Sequence, residues 1–282
     1  MGLQEVKNGV IIMENIALIT DIHANLEALE AVLEDIQNNQ IKTIYCLGDA
    51  IGLGPNPKEC LDLLMHYKIV NILGNGDEYS LLGTEPFTYL VKDTKRYENA
   101  VWTRKQLTNK HIAYLSEMPH SIDLEIAGKK IALCHFPVDV RYDFSGVWNY
   151  HGEDVRQFFE TNTSEDLRIK KPLPNKGYQS ALQEPLWNGK EITQYDIIIY
   201  GHYHFFRYHK KSGIEFYSLA STGVNQTSKA IYYILKDNNG KIELEEKRLE
   251  YDFEKLCNKL DAMDYPNKEL FEKRCNKIGS EK

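Results

Sequence analysis

The chain has 282 residues, of which 42% are hydrophobic, and it carries a formal net charge of −7. This length and composition indicate a globular protein that forms one large domain, or one domain with an appendage. The acidic charge argues against a general nucleic-acid binder or membrane-surface binder, because either would need a basic face.

The cellular compartment is predicted from hydrophobicity and from the cysteines. No apolar stretch approaches the roughly 20 residues that span a bilayer, and no basic start is followed by an apolar signal core. The five cysteines are scattered singly, as reduced core thiols are, and do not form the pattern of a disulfide framework or a zinc knuckle. We therefore expect a cytoplasmic protein without a structural disulfide and without a membrane partner.

The first core elements follow an N-terminal extension, residues 1–12, which is either a peripheral strand or an unstructured lead. Residues 16–20 are short, apolar and rich in branched side chains, which predicts a buried strand. Asn25 is a good N-cap, and the apolar residues after it recur at helical spacing as far as residue 38. This pattern predicts a strand-helix-strand unit, in which the strands are parallel.

Asp21 and His23 lie directly after that first strand. A carboxylate and an imidazole two residues apart in extended chain point the same way, so both can reach one ion. In an open α/β sheet, ligands bind at the C-terminal edge of the strands, where the strand-to-helix loops converge. The pair alone is weak evidence, since Asp-x-His occurs by chance in many chains.

Four further strand-like runs end in residues of metal-ligand type. One such ending is explained by turn formation, since Gly, Asn and Asp are the usual turn residues. Five endings in succession are poorly explained by chance. The four runs are residues 43–47 before Gly48-Asp49, residues 69–73 before Gly74-Asn75-Gly76-Asp77, residues 130–134 before His135, and residues 196–200 before Gly201-His202-Tyr203-His204.

A long segment, residues 137–194, has no clear period and separates two of these runs. A connection of this length is either a functional lid or a surface insertion, because long loops without structure are otherwise uncommon. We favour the lid, because both of its ends open onto the ligand-bearing edge. Within the segment, Arg141 and His151 are the candidate substrate contacts.

The rest of the chain is predicted to contain helices before this segment and strands after it. Residues 78–119 have an amphipathic helical pattern, and residues 121–127 alternate like a half-buried strand. After His204, four strand-like runs are expected to form a second, antiparallel sheet packed on the first. Residues 237–240 supply a hairpin turn between the last two of these strands. One helix follows, and residues 267–278 form either a further helix or a frayed tail.

The ordered motifs resemble the signature of the calcineurin-like metallophosphoesterases. Residues 48–60 also resemble a bacterial branch that is related to the YfcE-type phosphodiesterases and the dinucleoside tetraphosphatases. The resemblance implies an α/β fold, a four-layer α/β/β/α sandwich of two mixed sheets with a di-metal site at the strand C-terminal edge. The domain would cover residues 13–263, and residues 264–282 would form a C-terminal helix or tail. The motifs are Asp21-x-His23, Gly48-Asp49, Gly74-Asn75-x-Asp77, His135 and Gly201-His202-x-His204.

The resemblance also implies the metal ligands and the catalytic residues. One metal ion would be held by Asp21, His23, Asp49 and His204. The other would be held by Asp49, Asn75, His135 and His202, so that Asp49 bridges the two ions. The expected catalytic residues are Asp49, Asn75 and Asp77. This mixed donor set suits Mn²⁺, Fe or Zn²⁺ better than Mg²⁺, and Mn²⁺ is the first choice.

The implied activity is that of a metal-dependent phosphoesterase. A hydroxide activated by two metal ions would hydrolyse a small phosphate ester, a diester, or a nucleotide phosphoanhydride such as a dinucleoside polyphosphate. Two alternatives stay open: a protein serine/threonine phosphatase and a non-catalytic phosphoesterase-like scaffold. The retained set of ligand types argues against the scaffold, which has no need of an open di-metal centre.

Two positions depart from the pattern of the family. Gly76 stands where much of the family has a histidine that orients the nucleophile or protonates the leaving group, and Phe136 stands where many relatives have glycine. Without that histidine, we expect poor cleavage of esters with basic alkoxide leaving groups, because these most need a general acid.

Overall fold

The structure is a computed structural model that describes residues 4–7, 10–13, 15–82, 94–137, 194–211 and 213–276. Most of the predicted lid, with Arg141 and His151, lies outside the described residues. The strands are β1 (Gln4–Lys7), β2 (Val10–Met13), β3 (Ile16–Ile19), β4 (Thr43–Cys46), β5 (Val70–Asn71), β6 (Ser121–Ile126), β7 (Lys129–Cys134), β8 (Ile197–Tyr200), β9 (Arg207–Lys211), β10 (Ile214–Ser218), β11 (Lys229–Asn238) and β12 (Lys241–Glu250). The helices are α1 (Leu26–Asn38), α2 (Pro57–His66), α3 (Asn75–Leu82), α4 (Thr94–Gln106), α5 (Asn109–Ser116), α6 (Phe253–Asp261) and α7 (Lys268–Cys275).

Two five-stranded mixed sheets form the centre of the fold. The first sheet has the order β12-β11-β3-β4-β5, in which β3, β4 and β5 are parallel and β11 is antiparallel to both of its neighbours. The second sheet has the order β6-β7-β8-β10-β9, with three parallel inner strands and two antiparallel edge pairs. The predicted α/β class with two mixed sheets is confirmed. β1 and β2 form a separate antiparallel pair, so the N-terminal extension contains strands.

One expectation about the sheets is wrong. The strands after His204 do not form one sheet, because β11 pairs with β3, where Tyr233 lies opposite Leu18, and brings β12 into the first sheet. Residues 230–235 are apolar and buried on both faces of β11. A strand covered on both faces needs such an uninterrupted apolar run, which explains why β11 is an inner strand.

The alternation of side chains along the strands separates the layers. On β3, Ala17 and Ile19 belong to the apolar cluster beneath α1 and α2, whereas Leu18 belongs to the cluster between the two sheets. On β7, Ile131 faces the first sheet, and Ala132 on the opposite face is also fully buried. At these positions β3 and β7 are therefore buried on both faces, as inner strands of a four-layer sandwich are.

The element ends follow the predicted signals in most places. The side chain of Asn25 accepts a hydrogen bond from the N–H of Ala28 at 3.1 Å and caps α1, and Pro57 occupies the first turn of α2. The predicted turn between β11 and β12 is confirmed, since Asn239 and Gly240 both have positive φ, the requirement of a tight hairpin turn. The long helical pattern before β6 consists of α3, α4 and α5.

The C-terminal part of the chain is helical and packed. α6 and α7 share an apolar cluster in which Leu256, Leu260, Phe271 and Cys275 surround Val224. Within the segment 267–278, for which a helix or a frayed tail was expected, residues Lys268–Cys275 form a helix. All five cysteines are free thiols in the structure. Among the described residues, no helix has both the length and the apolar character needed to cross a membrane.

Candidate metal centre

Seven candidate ligands converge where loops from the two sheets meet. Asp21 and His23 follow β3, Asp49 follows β4, and Asn75 is the first residue of α3 after β5. The second sheet contributes loops after β7 and β8, which carry His135, His202 and His204. The partly exposed members of the set are Asn75, His202 and His204.

The first group of donors surrounds Asp21. The Nε2 atoms of His23 and His204 lie 3.0 Å apart, and His204 Nε2 lies 3.2 Å from Asp21 Oδ1. His23 Nε2 is 3.5 Å from Asp49 Oδ2 and 3.8 Å from Asp21 Oδ1. Two nitrogen ligands of one ion, each about 2.0–2.1 Å from it, lie about 3.0–3.4 Å apart in octahedral or tetrahedral geometry. The two imidazole nitrogens therefore have the spacing of ligands to one ion.

The second group of donors surrounds the amide oxygen of Asn75. Asn75 Oδ1 lies 2.9 Å from His202 Nδ1 and 3.1 Å from His135 Nε2, and these two nitrogens are 3.3 Å apart. His135 Nε2 lies 3.5 Å from Asp49 Oδ2. This carboxylate oxygen is thus 3.5 Å from one nitrogen of each group, a position that suits a bridging ligand.

Asp21 is the residue that most needs a cation. It is fully buried; Oδ2 accepts hydrogen bonds from Thr20 Oγ1 at 2.7 Å and from the N–H of His202 at 2.9 Å. Its Oδ1 atom makes no hydrogen bond within the described part of the chain. A buried, unsatisfied acceptor costs about 1–3 kcal/mol, and more when it is charged. A bound divalent ion would remove this cost, so the donor set fits a metal.

The predicted ligand sets assign Asp21 to one ion only, but in the structure Asp21 lies near candidate ligands of both ions. Asp21, His23 and His204 offer donor atoms within 4.8 Å of one another, and so do Asp21, Asp49 and His135. The first triad belongs to one predicted ion, whereas the second combines Asp21 with ligands assigned to the other ion. The Asp21 carboxylate therefore lies close to both groups.

Backbone carbonyls orient two of the imidazole rings. His23 Nδ1 lies 3.2 Å from the carbonyl oxygen of Ile51, and His135 Nδ1 lies 2.9 Å from that of Leu47. When Nδ1 donates to a carbonyl, Nε2 presents its lone pair to the centre, as a metal ligand must. These carbonyls have no signal in the sequence, because any residue can supply one.

Five of the candidate ligands have a left-handed backbone. The φ angles are 50° at Asp21, 51° at His23, 52° at Asp49, 70° at His202 and 65° at His204. Non-glycine residues rarely adopt this conformation, which persists where the surroundings impose it and which clusters at functional sites. Here the left-handed residues turn the chain directly after the strands, so that successive side chains point to one centre.

Two motif glycines allow backbone segments to approach the carboxylates. A Cβ on Gly74 would lie 2.2 Å from Asp49 Oδ1, and a Cβ on Gly201 would lie 2.0 Å from Thr20 Oγ1 and 2.5 Å from Asp21 Oδ2. Neither distance is possible for a side-chain carbon. The glycines before Asn75 and His202 are therefore required by close packing around Asp49 and Asp21.

Asp77 and Gly76 support the ligand loops through the backbone. The Asp77 carboxylate is buried and accepts the N–H groups of Ile51 and Gly74, each at 3.0 Å. Burial, with the nearby charge of Asp49, raises its pKa to about 7. The N–H of Gly76 donates to Asp49 Oδ1 at 2.6 Å. Asp77 thus joins the two loops that carry Asp49 and Asn75.

Burial and ion pairing set the protonation of the donors. Burial lowers the pKa of His23 to about 4 and that of His202 to about 3, so both rings are neutral near pH 7. Burial acts in the same direction on His135, but the Asp49 carboxylate outweighs it and raises the pKa to about 10. Burial disfavours ionisation of Asp49, yet the His135 charge holds its pKa below the usual value. Near pH 7 and without metal, the centre therefore combines ionised carboxylates, neutral imidazoles at His23 and His202, and a protonated His135, which must lose a proton to bind metal.

Sequence similarity agrees with this geometry. A family model described as the calcineurin-like phosphoesterase superfamily domain matches residues 14–240. The chain belongs to the calcineurin-like phosphoesterase superfamily. The expected resemblance to the calcineurin-like metallophosphoesterases is thereby confirmed at the level of the family. The match includes all seven candidate ligands and every strand of the two sheets except β12.

One curated relative matches part of the chain. An uncharacterized protein of Methanocaldococcus jannaschii is 43% identical over 120 residues, which are 43% of this chain and 48% of that protein. The chain thus matches about half the length of this curated relative.

Two crystal structures share the fold of this calcineurin-like phosphoesterase. A hypothetical protein from Pyrococcus horikoshii has a TM-score of 0.66 at 15% identity, covering 93% of this chain and 98% of that chain. A metallophosphoesterase from Sphaerobacter thermophilus has a TM-score of 0.59 at 20% identity, covering 93% of this chain and 97% of that chain. At these identities the likeness shows the fold alone.

Proposed function

We propose that this calcineurin-like phosphoesterase hydrolyses a small phosphate ester, a phosphodiester, or a nucleotide phosphoanhydride such as a dinucleoside polyphosphate. The observation that carries the proposal is the position of Asp49 Oδ2, 3.5 Å from a ring nitrogen of each donor group. Two ion sites that share one carboxylate are the arrangement that two-metal phosphoester hydrolysis requires.

The donor set is proposed to hold two divalent metal ions, with Mn²⁺ as the first choice and Fe or Zn²⁺ as alternatives. Such ions, when bound, acidify a water molecule and neutralise charge on the phosphoryl oxygens. The proposed ligands of one ion are Asp21, His23, Asp49 and His204. The proposed ligands of the other are Asp49, Asn75, His135 and His202.

The chain itself contributes positioning. The N–H of Gly76 fixes one oxygen of Asp49 and leaves the other, Oδ2, directed to the imidazoles. We propose that Asp77, which the sequence suggests as a catalytic residue, acts by holding the loops of Asp49 and Asn75 at a fixed separation. Phe136 is almost fully buried, and its ring centroid lies 4.8 Å from that of His202, so it forms an apolar wall on that side of the centre.

Residue 76 limits the chemistry of the leaving group. Glycine there supplies an N–H to Asp49 and no proton donor to a departing alkoxide. We therefore propose that substrates with weakly basic leaving groups, such as aryl esters and phosphoanhydrides, are preferred. The five free thiols support the proposal of a reducing, cytoplasmic location.

A substrate panel tests the proposed function. Turnover is measured for a phosphomonoester, a phosphodiester, a phosphopeptide and a dinucleoside polyphosphate, with and without added Mn²⁺. We expect metal-dependent hydrolysis of the small substrates and little of the phosphopeptide. A preference for phosphopeptide would indicate a protein phosphatase. The absence of metal-dependent turnover on every substrate would indicate a scaffold and contradict the proposal.

Arg141 and His151 remain proposed substrate contacts within the lid of residues 137–194. Replacing either with Ala should raise KM by about two- to tenfold, the usual worth of one hydrogen bond, without loss of metal. Metal content and KM are measured for each variant on every substrate of the panel. Parent-like KM values for both variants would identify the segment as a surface insertion.

A further inference from the structure

The two oxygens of the Asp21 carboxylate have different surroundings. Oδ2 accepts the hydroxyl of Thr20 at 2.7 Å and the N–H of His202 at 2.9 Å. Oδ1 makes no hydrogen bond within the described part of the chain, and it lies 3.2 Å from Nε2 of His204. One oxygen is therefore held by the protein, and the other is left for the candidate metal centre.

The hydrogen bond between Thr20 and Asp21 is closed to solvent. Thr20 is 1% exposed, and Asp21 is fully buried. The main chain of Gly201 packs against both, since a Cβ on Gly201 would lie 2.0 Å from Thr20 Oγ1 and 2.5 Å from Asp21 Oδ2. An ionised carboxylate can only accept, so the hydroxyl of Thr20 is the donor. The protein thus supplies a hydrogen bond that water supplies to an exposed carboxylate.

Other bonds hold the main chain around this hydroxyl. The N–H of Thr20 donates to Oγ1 of Thr222 at 3.2 Å, and the carbonyl oxygen of Thr20 accepts the N–H of Thr222 at 2.7 Å. The hydroxyl of Ser221 donates to the carbonyl oxygen of Asp21 at 2.7 Å. Removal of the Thr20 hydroxyl should therefore leave the backbone of residues 20 and 21 in place, so its effect on the carboxylate can be measured separately.

The Thr20 hydroxyl is suited to fix the orientation of the carboxylate. Two heavy atoms on Cβ restrict the χ1 rotamers of a threonine, so the donor has few directions available to it. The N–H of His202 alone would be a single contact about which the carboxylate can turn. A second donor on the same oxygen removes that freedom, and hydrogen bonds to charged groups are the stronger ones.

We propose that Thr20 is a positioning residue that fixes Asp21 as a metal ligand through Oδ1 and thereby strengthens metal binding. Thr20 acts through Asp21, because its hydroxyl is bonded to the oxygen that the protein holds. The inference rests on the proposed function and deepens it, since none of the metal-ligand motifs includes Thr20. Groups that orient metal ligands in this way typically change metal affinity by about 10–100-fold.

The test measures metal affinity in the absence of substrate. Metal-free protein is titrated with Mn²⁺, and with Zn²⁺ as a second ion, in a calorimeter for the parent, Thr20→Val, Thr20→Ser and Thr222→Val. Thr20→Val keeps the shape of the side chain without the hydroxyl, and we expect it to bind Mn²⁺ about 10–100-fold more weakly. Thr20→Ser keeps the hydroxyl and should bind Mn²⁺ as the parent does.

Thr222→Val is the matched control. It removes a similarly buried hydroxyl, but one that accepts a main-chain N–H and is not the donor to Asp21. We expect it to lower the melting temperature and to leave Mn²⁺ affinity at the parent level. Turnover at graded Mn²⁺ concentrations adds a second comparison, because excess Mn²⁺ should restore the turnover of Thr20→Val if only metal affinity is lost.

Several outcomes would overturn the proposal. Parent-like Mn²⁺ affinity in Thr20→Val would do so, and tighter binding would show that the hydroxyl mainly draws charge away from the carboxylate. An equal loss in Thr222→Val would attribute both effects to general packing. If Thr20→Val does not fold, Thr20→Ala is compared with Thr20→Ser, since the two differ by the hydroxyl alone. Equal affinities in that pair would contradict the role of Thr20.

Failure of the proposed function gives a different result. A parent that binds neither Mn²⁺ nor Zn²⁺ would reject the metal centre and the role of Thr20 together. A parent that binds metal but hydrolyses no phosphate ester would reject the proposed function, whereas the metal titration would still decide the role of Thr20.

Discussion

The two sheets contribute different chemistry to the candidate metal centre. Loops of the first sheet supply both carboxylates and the amide, Asp21, Asp49 and Asn75, whereas loops of the second sheet supply three of the four imidazoles. Carboxylates provide the charge that attracts a divalent ion, and neutral imidazoles add nitrogen donors that favour borderline metals. Neither sheet carries a complete set. Ions bound at this centre would therefore join the two sheets as well as perform chemistry.

The strongest test of this comparison removes the shared charge on the first sheet. Asp49→Asn should abolish turnover and release both ions, because the neutral amide weakens each site at once. Changes next to metal ligands already cost about 10–100-fold, so loss of a ligand should cost more. Turnover and metal content are measured on the purified variant, with the exposed hairpin change Asp237→Asn as control. Retention of two ions with normal turnover would contradict the bridging role of Asp49.

The second largest expected effect comes from position 76, where the first-sheet loops carry glycine and no general acid. With glycine at position 76, the parent should hydrolyse aryl phosphates and phosphoanhydrides about 10²–10⁴-fold faster than alkyl phosphates. This factor is the usual rate acceleration that general acid catalysis provides. The prediction is checked by measuring the rate of the chemical step for a series of substrates whose leaving groups differ in pKa. Similar rates for alkyl and aryl esters would place a proton donor elsewhere in the site.

Inserting the family histidine at position 76 is a poor test of the same point. A Cβ on Gly76 would lie 2.8 Å from the carbonyl oxygen of Ile51 and 3.1 Å from Asp49 Oδ1. Any side chain there must shift the Ile51 backbone, and with it the hydrogen bond that fixes Asp49. We therefore expect Gly76→His to lose metal before it gains a proton donor.

A smaller effect should separate the two donor groups on the second sheet. His204→Ala should remove one of the two ions and leave the group of Asn75 occupied, whereas His202→Ala should remove the other ion. Metal content measured by elemental analysis should fall from two ions to one in each case. Loss of both ions in either variant would mean that the groups bind metal only together, which the position of Asp21 near both groups would explain.

The smallest expected effect is on stability. Because the donors come from both sheets, metal should stabilise the fold by about 2.7 kcal/mol when the free ion is at 100 times its Kd. Chelation should lower the melting temperature by several degrees, and Mn²⁺ should restore it. Thermal unfolding of the parent and of Asp49→Asn checks this, since the variant should not respond to chelator. An equal response in both would show that the stabilising ion binds elsewhere.

Local patterns in the sequence were sufficient for the strands and for the candidate ligands. Asp49 and His135 were identified because each follows an apolar run, and the structure brings both into one cluster. The placement of β11 beside β3 was not predicted, because it depends on pairing between distant residues such as Leu18 and Tyr233. The left-handed backbone conformation of the candidate ligands was not predicted either, because no sequence pattern indicates a positive φ angle at an aspartate.

The C-terminal segment illustrates the same limit. Tyr265 and Phe271 carry no motif, and their apolar character predicts burial without a location. Their packing against Gly54 depends on the complete arrangement of both sheets around the loop after β4. Sequence motifs therefore indicated the candidate donor residues, whereas the residues that pack around them could be located only in the three-dimensional structure.

The pairing of β3 with β11 has a consequence for biosynthesis. β3 is made early, but Tyr233, the partner of Leu18, emerges from the ribosome about two hundred residues later. Until then β3 is an open edge strand of the nascent sheet, and open edges can pair with other chains. His202 and His204 are translated shortly before β11, so the last donors and the missing strand arrive together. The nascent chain can therefore close its sheet and complete the candidate donor set in the same late step.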